Sequence, residues 1–164
     1  KIEGRGRAPE YVANVIKCYR DAIDSIEAGT YNKEKVISWM LELEKVYNRG
    51  FWSGYYLGQK LGEWSNGSGS HATQKKVYVG KGMHFFPKAN IGEFKIEAYE
   101  ISVGDTILIT GPTTGAKEMQ IDQMFVNDVE GNSAQKGDSC TIPLNFRIRP
   151  SDKLYKIVEN KVEA

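Results

Sequence analysis

Apolar positions recur with a helical period in the first third of the chain and with a period of two in its second half. Between Pro9 and Ala28 they fall at Val12, Val15, Ile16, Tyr19, Ile23 and Ile26, spacings that share one face of an α-helix. Pro9 suits a first turn, where a missing N–H costs nothing, and Gly29 is a natural stop. A second helix is predicted over 33–47, with Asn32 as its cap. Val36, Met40, Leu43 and Tyr47 form its stripe, widened by Ile37 and Trp39. The short link "GTYN" makes the two helices an antiparallel hairpin. A hairpin of this size buries too little to stand alone, so it is expected to pack on something else.

The pattern then breaks. "NRGFWSGYYLG", residues 48–58, interleaves Phe51, Trp52, Tyr55 and Tyr56 with three glycines, which reads as an irregular aromatic loop. Residues 62–76 are Gly- and Ser-rich without period and read as a flexible connector. From Val77 the period is two. "VYVGKGMHFF" predicts a strand bent at its glycines. "GEFKIEAY" alternates Phe94, Ile96 and Ala98 against Glu93, Lys95 and Glu97. "TILITGP" reads as a buried strand. "KEMQIDQMFVN" alternates until a slip at Met124-Phe125, expected to be a bulge. "SCTIPL" and "KLYKIV" complete six strands. "VGD", "KGD" and "PSD" precede three of these strands; an Asp there bonds nearby backbone and makes a tight turn. The expected fold is α+β: a helical hairpin with its aromatic segment (1–61), a linker (62–76), a small closed six-stranded antiparallel β-barrel (77–158) and a tail (159–164).

Composition changes this picture little. A net charge of +1, close to balance in both halves, gives no global electrostatic case for nucleic acid or anionic membrane. No apolar run approaches the roughly 18 residues of a membrane helix, and a cytoplasmic location is expected. Cys18 and Cys140 match no metal-binding spacing and are expected to be free thiols.

Candidate chemistry is sparse. His71 and His84 have no Ser, Cys or Asp at triad or ligand spacing. "GPTTG" lacks the Gly-Lys-Ser/Thr ending of a phosphate loop and reads as a hairpin turn. No catalytic residue and no metal ligand is assigned within the chain. The contact candidates are basic and aromatic: Arg5 in an N-terminal basic cluster; Arg49 beside Phe51, Trp52 and Tyr55; Lys81 on the first strand; Arg147 and Arg149 on one face of a strand "NFRIRP", with Phe146 and Ile148 opposite. Exposed aromatics beside a cation stack on unpaired bases; a basic pair suits phosphate. The alternative for the aromatics is ordinary core.

Two resemblances are carried by motifs. "VGKG", "GEFKIEAYEISVGDTILITGP", "KEMQIDQMF", "AQKGDSCTIPL" and "RIRPSDKLYKI" resemble, in order and spacing, the second domain of elongation factor Tu and other translation proteins, a six-stranded β-barrel. "KIEGR", Tyr11-Val12-Ala13, Tyr19-Arg20-Asp21-Ala22-Ile23-Asp24 and the Arg49–Gly58 segment resemble the C-terminal region of the collagenase-like peptidase family U32, which carries such a barrel. Ile2-Glu3-Gly4-Arg5 also spells a tag-removal protease site, but the family shows it at this place and it is read as native. "GRAP" at 6–9 departs from the family pattern.

The resemblance implies an upstream catalytic domain whose cysteine cluster suits an iron–sulfur centre, and no cofactor in this chain. One branch of the family hydroxylates a tRNA uridine and related members act on ribosomal RNA. The leading expectation is an accessory module that presents tRNA or other RNA to that upstream domain. The alternatives are a protein-substrate module of a collagenase-like peptidase and a structural or self-association module.

Overall fold

The computed structural model describes residues 2–51, 58 and 69–160. It divides into two compact units, Lys1–Lys75 with Glu159–Ala164, and Lys76–Val158.

In the first unit, helix α1 runs Pro9–Glu27 and α2 runs Lys33–Lys45. α1 ends as its Gly predicts: Gly29 sits at φ 65°, its N–H donates to the Ile26 carbonyl, and the Thr30 N–H donates to the Ser25 carbonyl, a Schellman cap. The Asn32 side chain accepts the Lys35 N–H at 2.9 Å, a cap worth about 1 kcal/mol. The packed face of α1 keeps only Val12 and Val15 of the predicted stripe. Val15, Cys18 and Ser25 are buried, while Ile16, Tyr19, Ile23 and Ile26 are exposed. The Cys18 thiol reaches the Trp39 carbonyl of α2. Small side chains on this line let the two backbones approach, and the large aliphatics lie about a quarter-turn away. Past α2, residues 70–73, read as the end of a flexible connector, are hydrogen-bonded. The His71 and Thr73 N–H groups donate to the Asn48 and Glu44 carbonyls, and Asn160 bonds the Ala72 and Thr73 carbonyls.

The second unit is antiparallel β. Its strands are β1 Gln74–Phe86, β2 Ile91–Ile96, β3 Ile101–Ser102, β4 Thr106–Gly111, β5 Gly115–Gln120, β6 Phe125–Val126, β7 Val129–Glu130, β8 Ser133–Ala134, β9 Ser139–Pro143 and β10 Lys153–Glu159. Eight of them form one sheet in the order β5-β4-β10-β1-β2-β9-β6-β7, and β3 pairs with β8 apart from it. The expected closed six-stranded barrel is therefore not what the hydrogen bonds form: β5 and β7 are the ends of the sheet and do not pair. At Met124-Phe125 the chain does not bulge. It leaves the sheet after Gln120, drops Ile121 and Met124 into the core, and resumes as β6 beside β9. "NFRIRP" is likewise not a strand, because Pro143 ends β9 and Pro150 opens a turn, both lacking a donor N–H. Its alternation survives in burial, with Ile148 inside and Arg147 and Arg149 outside.

Val79, Phe94, Ile96, Ile107, Ile142 and Leu154 lie within one core cluster, and Ile101 and Ala134 of the β3–β8 ribbon join it. Full burial of each large side chain contributes about 1.5–3 kcal/mol.

The three predicted Asp turns share one geometry. The Asp105, Asp138 and Asp152 carboxylates accept the N–H of Ser102, Gln135 and Arg149, three residues back, at 2.7–2.9 Å. Their own N–H groups return to the same residues' carbonyls. The residue before each Asp has positive φ: Gly104 92°, Gly137 101° and Ser151 72°. This is the type II signature, with Pro150 in the preferred place of the third turn. Asp152 is only 2% exposed and also accepts from the Thr114 hydroxyl at 2.5 Å. Gly111 is required here, since a Cβ would overlap that carboxylate.

Candidate functional site

The outer face of the sheet is assembled by cross-strand register. Glu93 of β2 lies opposite His84 of β1 and Thr141 of β9, and Thr141 lies opposite Phe125 of β6. One row up, Phe86 faces Ile91 and Ile91 faces Pro143. Side chains two apart on a strand share a face, so these residues crowd together and leave a depression lined by Phe86, Ile91, Glu93, Phe125, Asn127 and Asp128, with Ser139 and Thr141 on its floor. A bulge puts Phe86 there. The β1–β2 register shifts between Gly82 and His84, and the extra residue, Met83, inverts the facing of all that follows. Phe85 consequently packs on the core while His84 and Phe86 turn outward, their rings 4.6 Å apart.

The polar groups of the depression are acceptor-rich. The Ser139 hydroxyl donates to Glu93 at 3.1 Å. Asn127 and Asp128 have φ of 50° and 69°, the two left-handed positions of a type I′ hairpin between β6 and β7. Asn127 donates to Asp138 and accepts the Ser139 N–H. The Gln135 N–H and the Asn127 amide hold the Asp138 carboxyl below its usual range. Among the described residues, two phenylalanines and two carboxylates line this surface and no lysine or arginine does. Such a surface suits a cation on an apolar stem better than it suits phosphate.

The predicted contact residues distribute differently. In the sheet unit the structure brings the Arg149 backbone against Gly82, the neighbour of Lys81. The Gly82 N–H donates to the Asp152 carbonyl and the Ser151 N–H to the Gly82 carbonyl, docking the 149–152 turn beside Lys81. A Cβ at Gly82 would press the Arg149 carbonyl at 3.0 Å. Lys81 is already paired with Glu97 at 2.8 Å. Glu97 also accepts from the Tyr78 hydroxyl at 2.6 Å, so Lys81 and Tyr78 hold its carboxyl low. Arg147 and Arg149 are exposed, and among the described residues neither side chain makes an ion pair.

In the hairpin unit Arg5 is exposed, and its backbone N–H donates to the Glu3 carboxylate. Arg49 donates to the Tyr47 hydroxyl at 2.9 Å, and the Arg7 guanidinium sits 3.5 Å above the same ring. The Arg49 hydrogen bond is the main cause that lowers the Tyr47 phenol. Phe51 is 46% exposed; Trp52 and Tyr55 lie outside the described residues. Sequence reading missed the Glu93–Phe86–Phe125 depression and the Arg7–Tyr47 contact. The first depends on a bulge and on a two-residue strand, neither of which has a period.

Cys18 and Cys140 do not fit an iron–sulfur cluster. Each is a free, buried thiol, one on a helix and one on a strand, and no group of three metal-ligating side chains occurs among the described residues. Burial pushes the Cys140 thiol up to about 12. None of the described helices is long and apolar enough to cross a membrane.

Residues 1–66 match the sequence model of peptidase family U32. A collagenase of Porphyromonas gingivalis is 48% identical over 156 residues, 95% of this chain and 38% of that protein. An uncharacterized protease of Methanocaldococcus jannaschii is 33% identical over 97% of this chain and 39% of its own length. The chain thus spans about two-fifths of the curated relatives it matches. The solved C-terminal domain of a Geobacillus thermoleovorans chain described as a U32 peptidase overlaps 48% of this chain and 90% of its own, with TM-score 0.46 and 16% identity. Residues 1–66 thus match peptidase family U32, and the alignment with the curated relatives extends that similarity through hairpin and sheet alike.

Proposed function

We propose that this chain is a C-terminal, substrate-holding module of a U32 protein, and that its sheet grips polypeptide. The chemistry is assigned to a part of the polypeptide outside this chain. The observation that carries the reading is the depression around Glu93. Phe86 and Phe125 offer apolar faces for the stem of a Lys or Arg side chain, and Glu93 and Asp128 offer carboxylates for its charged end. That relatives at 48% and 33% identity are a collagenase and a protease supports polypeptide as the ligand class.

The test is titration of this chain with a fluorescent, arginine-rich unfolded peptide. Glu93→Gln removes the charge and keeps the shape. A hydrogen bond to a charged group is worth about 1.5–3 kcal/mol, so the peptide should bind about 10- to 100-fold more weakly. Equal affinity for both proteins rejects the pocket.

One observation favours the RNA-presenting reading. Arg147 and Arg149 are exposed and unpaired among the described residues, the Arg149 carbonyl lying against Gly82 next to Lys81, and the likeness of this region to the second domain of elongation factor Tu supports an RNA-handling role. On this reading tRNA affinity falls steeply with salt, and Glu93→Gln leaves it unchanged. Fold-level likeness alone does not assign function, and Lys81 is neutralised by Glu97, so polypeptide ranks first.

A further inference from the structure

The helical hairpin carries large apolar side chains that no other described residue of its unit covers. On α1, Ile16 is 51% exposed, Tyr19 60%, Ile23 47% and Ile26 63%; on α2, Ile37 is 52% and Leu41 57% exposed. At 100° per residue, α1 divides into three arcs. Val15, Cys18, Ala22 and Ser25 fall on the arc packed toward α2. Ile16, Tyr19, Ile23 and Ile26 centre roughly 100° further round, and Lys17, Arg20, Asp24 and Glu27 take the remainder. On α2, Ile37 and Leu41 lie roughly 130° beyond the half-buried Val36 and Leu43. The helices are antiparallel, so rotation in the same sense along the chain carries both sets to the same side of the hairpin. The six residues therefore form one apolar face built from both helices. A contiguous apolar face of this kind, rimmed by charge, marks an interface.

Two facts select the occupant. The U32 sequence model covers residues 1–66, so it takes in the whole hairpin and ends before the sheet begins. Relatives that match this chain almost throughout are much longer, and the matched stretch is only 38–39% of them. We propose that this two-helix face is the seat on which the remaining part of the U32 polypeptide docks, and that the hairpin belongs to that larger body. The inference rests on the family match and exposure. It does not depend on what the sheet binds.

The experiment is thiol labelling. Ile23→Cys is made in this chain, and a cysteine is placed at the aligned position of the full-length Porphyromonas gingivalis collagenase. The native thiols give little background here, because Cys18 is 5% and Cys140 1% exposed. A bulky maleimide should label Ile23→Cys in this chain at the rate of a free peptide thiol, and the aligned position in the longer protein at least tenfold more slowly. Tyr19→Cys, read in the same way, keeps the test valid if one variant misfolds. Fast labelling of both proteins overturns the proposal. So does protection in this chain that grows with its concentration and accompanies a doubled sedimentation mass, because the face would then be a self-association surface.

Discussion

Ser151 stands at φ 72° in a turn whose two counterparts carry glycine at the same place. A left-handed L-residue is strained by roughly 1–2 kcal/mol, and glycine returns part of that as unfolded-chain entropy. Ser151→Gly should therefore stabilise the protein by about 0.5–1 kcal/mol in urea unfolding; a lower midpoint would refute the assigned strain. Tyr78 makes a second single-residue case. The Glu97 hydrogen bond, with burial behind it, raises the phenol from 10.0 to about 12. Folding thus favours the protonated form. That contribution is fully present below pH 10 and is lost as pH rises through about 12. Ultraviolet titration of the folded protein should show Tyr78 ionising late, and Glu97→Gln should bring it back toward its ordinary range. An unchanged titration in Glu97→Gln would mean that burial alone is responsible.

The elements differ in how well they are buried. α2 has no fully buried residue and α1 has three, whereas β2 and β9 alternate buried and half-covered side chains over the core. Local opening is governed by such burial. In native-state hydrogen exchange, amides of α2 should exchange on the order of 100-fold faster than those of Phe94 and Ile142, a gap of roughly 3 kcal/mol. Equal protection would show that the hairpin opens only with the sheet. Much at this scale was legible in the sequence. Both helices, their caps and the three Asp turns follow from local signals, since capping and turn chemistry are settled within four residues. The strands of two residues were not legible, because two residues carry no period. The bulge at Met83 was not legible either, because it is set by the need to seat Phe85 inside while the 149–152 turn docks on Gly82.

Across the whole molecule, charge is balanced and the distinction is local. The sheet presents an acid-and-phenylalanine depression around Glu93 and, elsewhere, the arginines of the 147–149 segment. Peptide binding that responds to Glu93→Gln, and tRNA binding that responds to salt, separate the two readings because each draws on a different surface. Labelling at Ile23 interrogates a third surface, on the hairpin, and its outcome is independent of both. The scattering of the predicted contact residues has a physical cause. Arg149 is far from Lys81 in sequence and its backbone comes beside Gly82 only because a glycine lets the turn approach, while Arg5 and Arg49 belong to another unit.

What the sequence by itself determined is what depends on neighbours along the chain: helix period, capping, tight Asp turns, strand alternation and likeness to the U32 family. Tertiary structure alone decided which face of α1 packs, whether the sheet closes, and which side chains share the surface around Glu93. Those outcomes follow from the close approach of backbones at small residues and from cross-strand register, where one inserted residue inverts every facing beyond it.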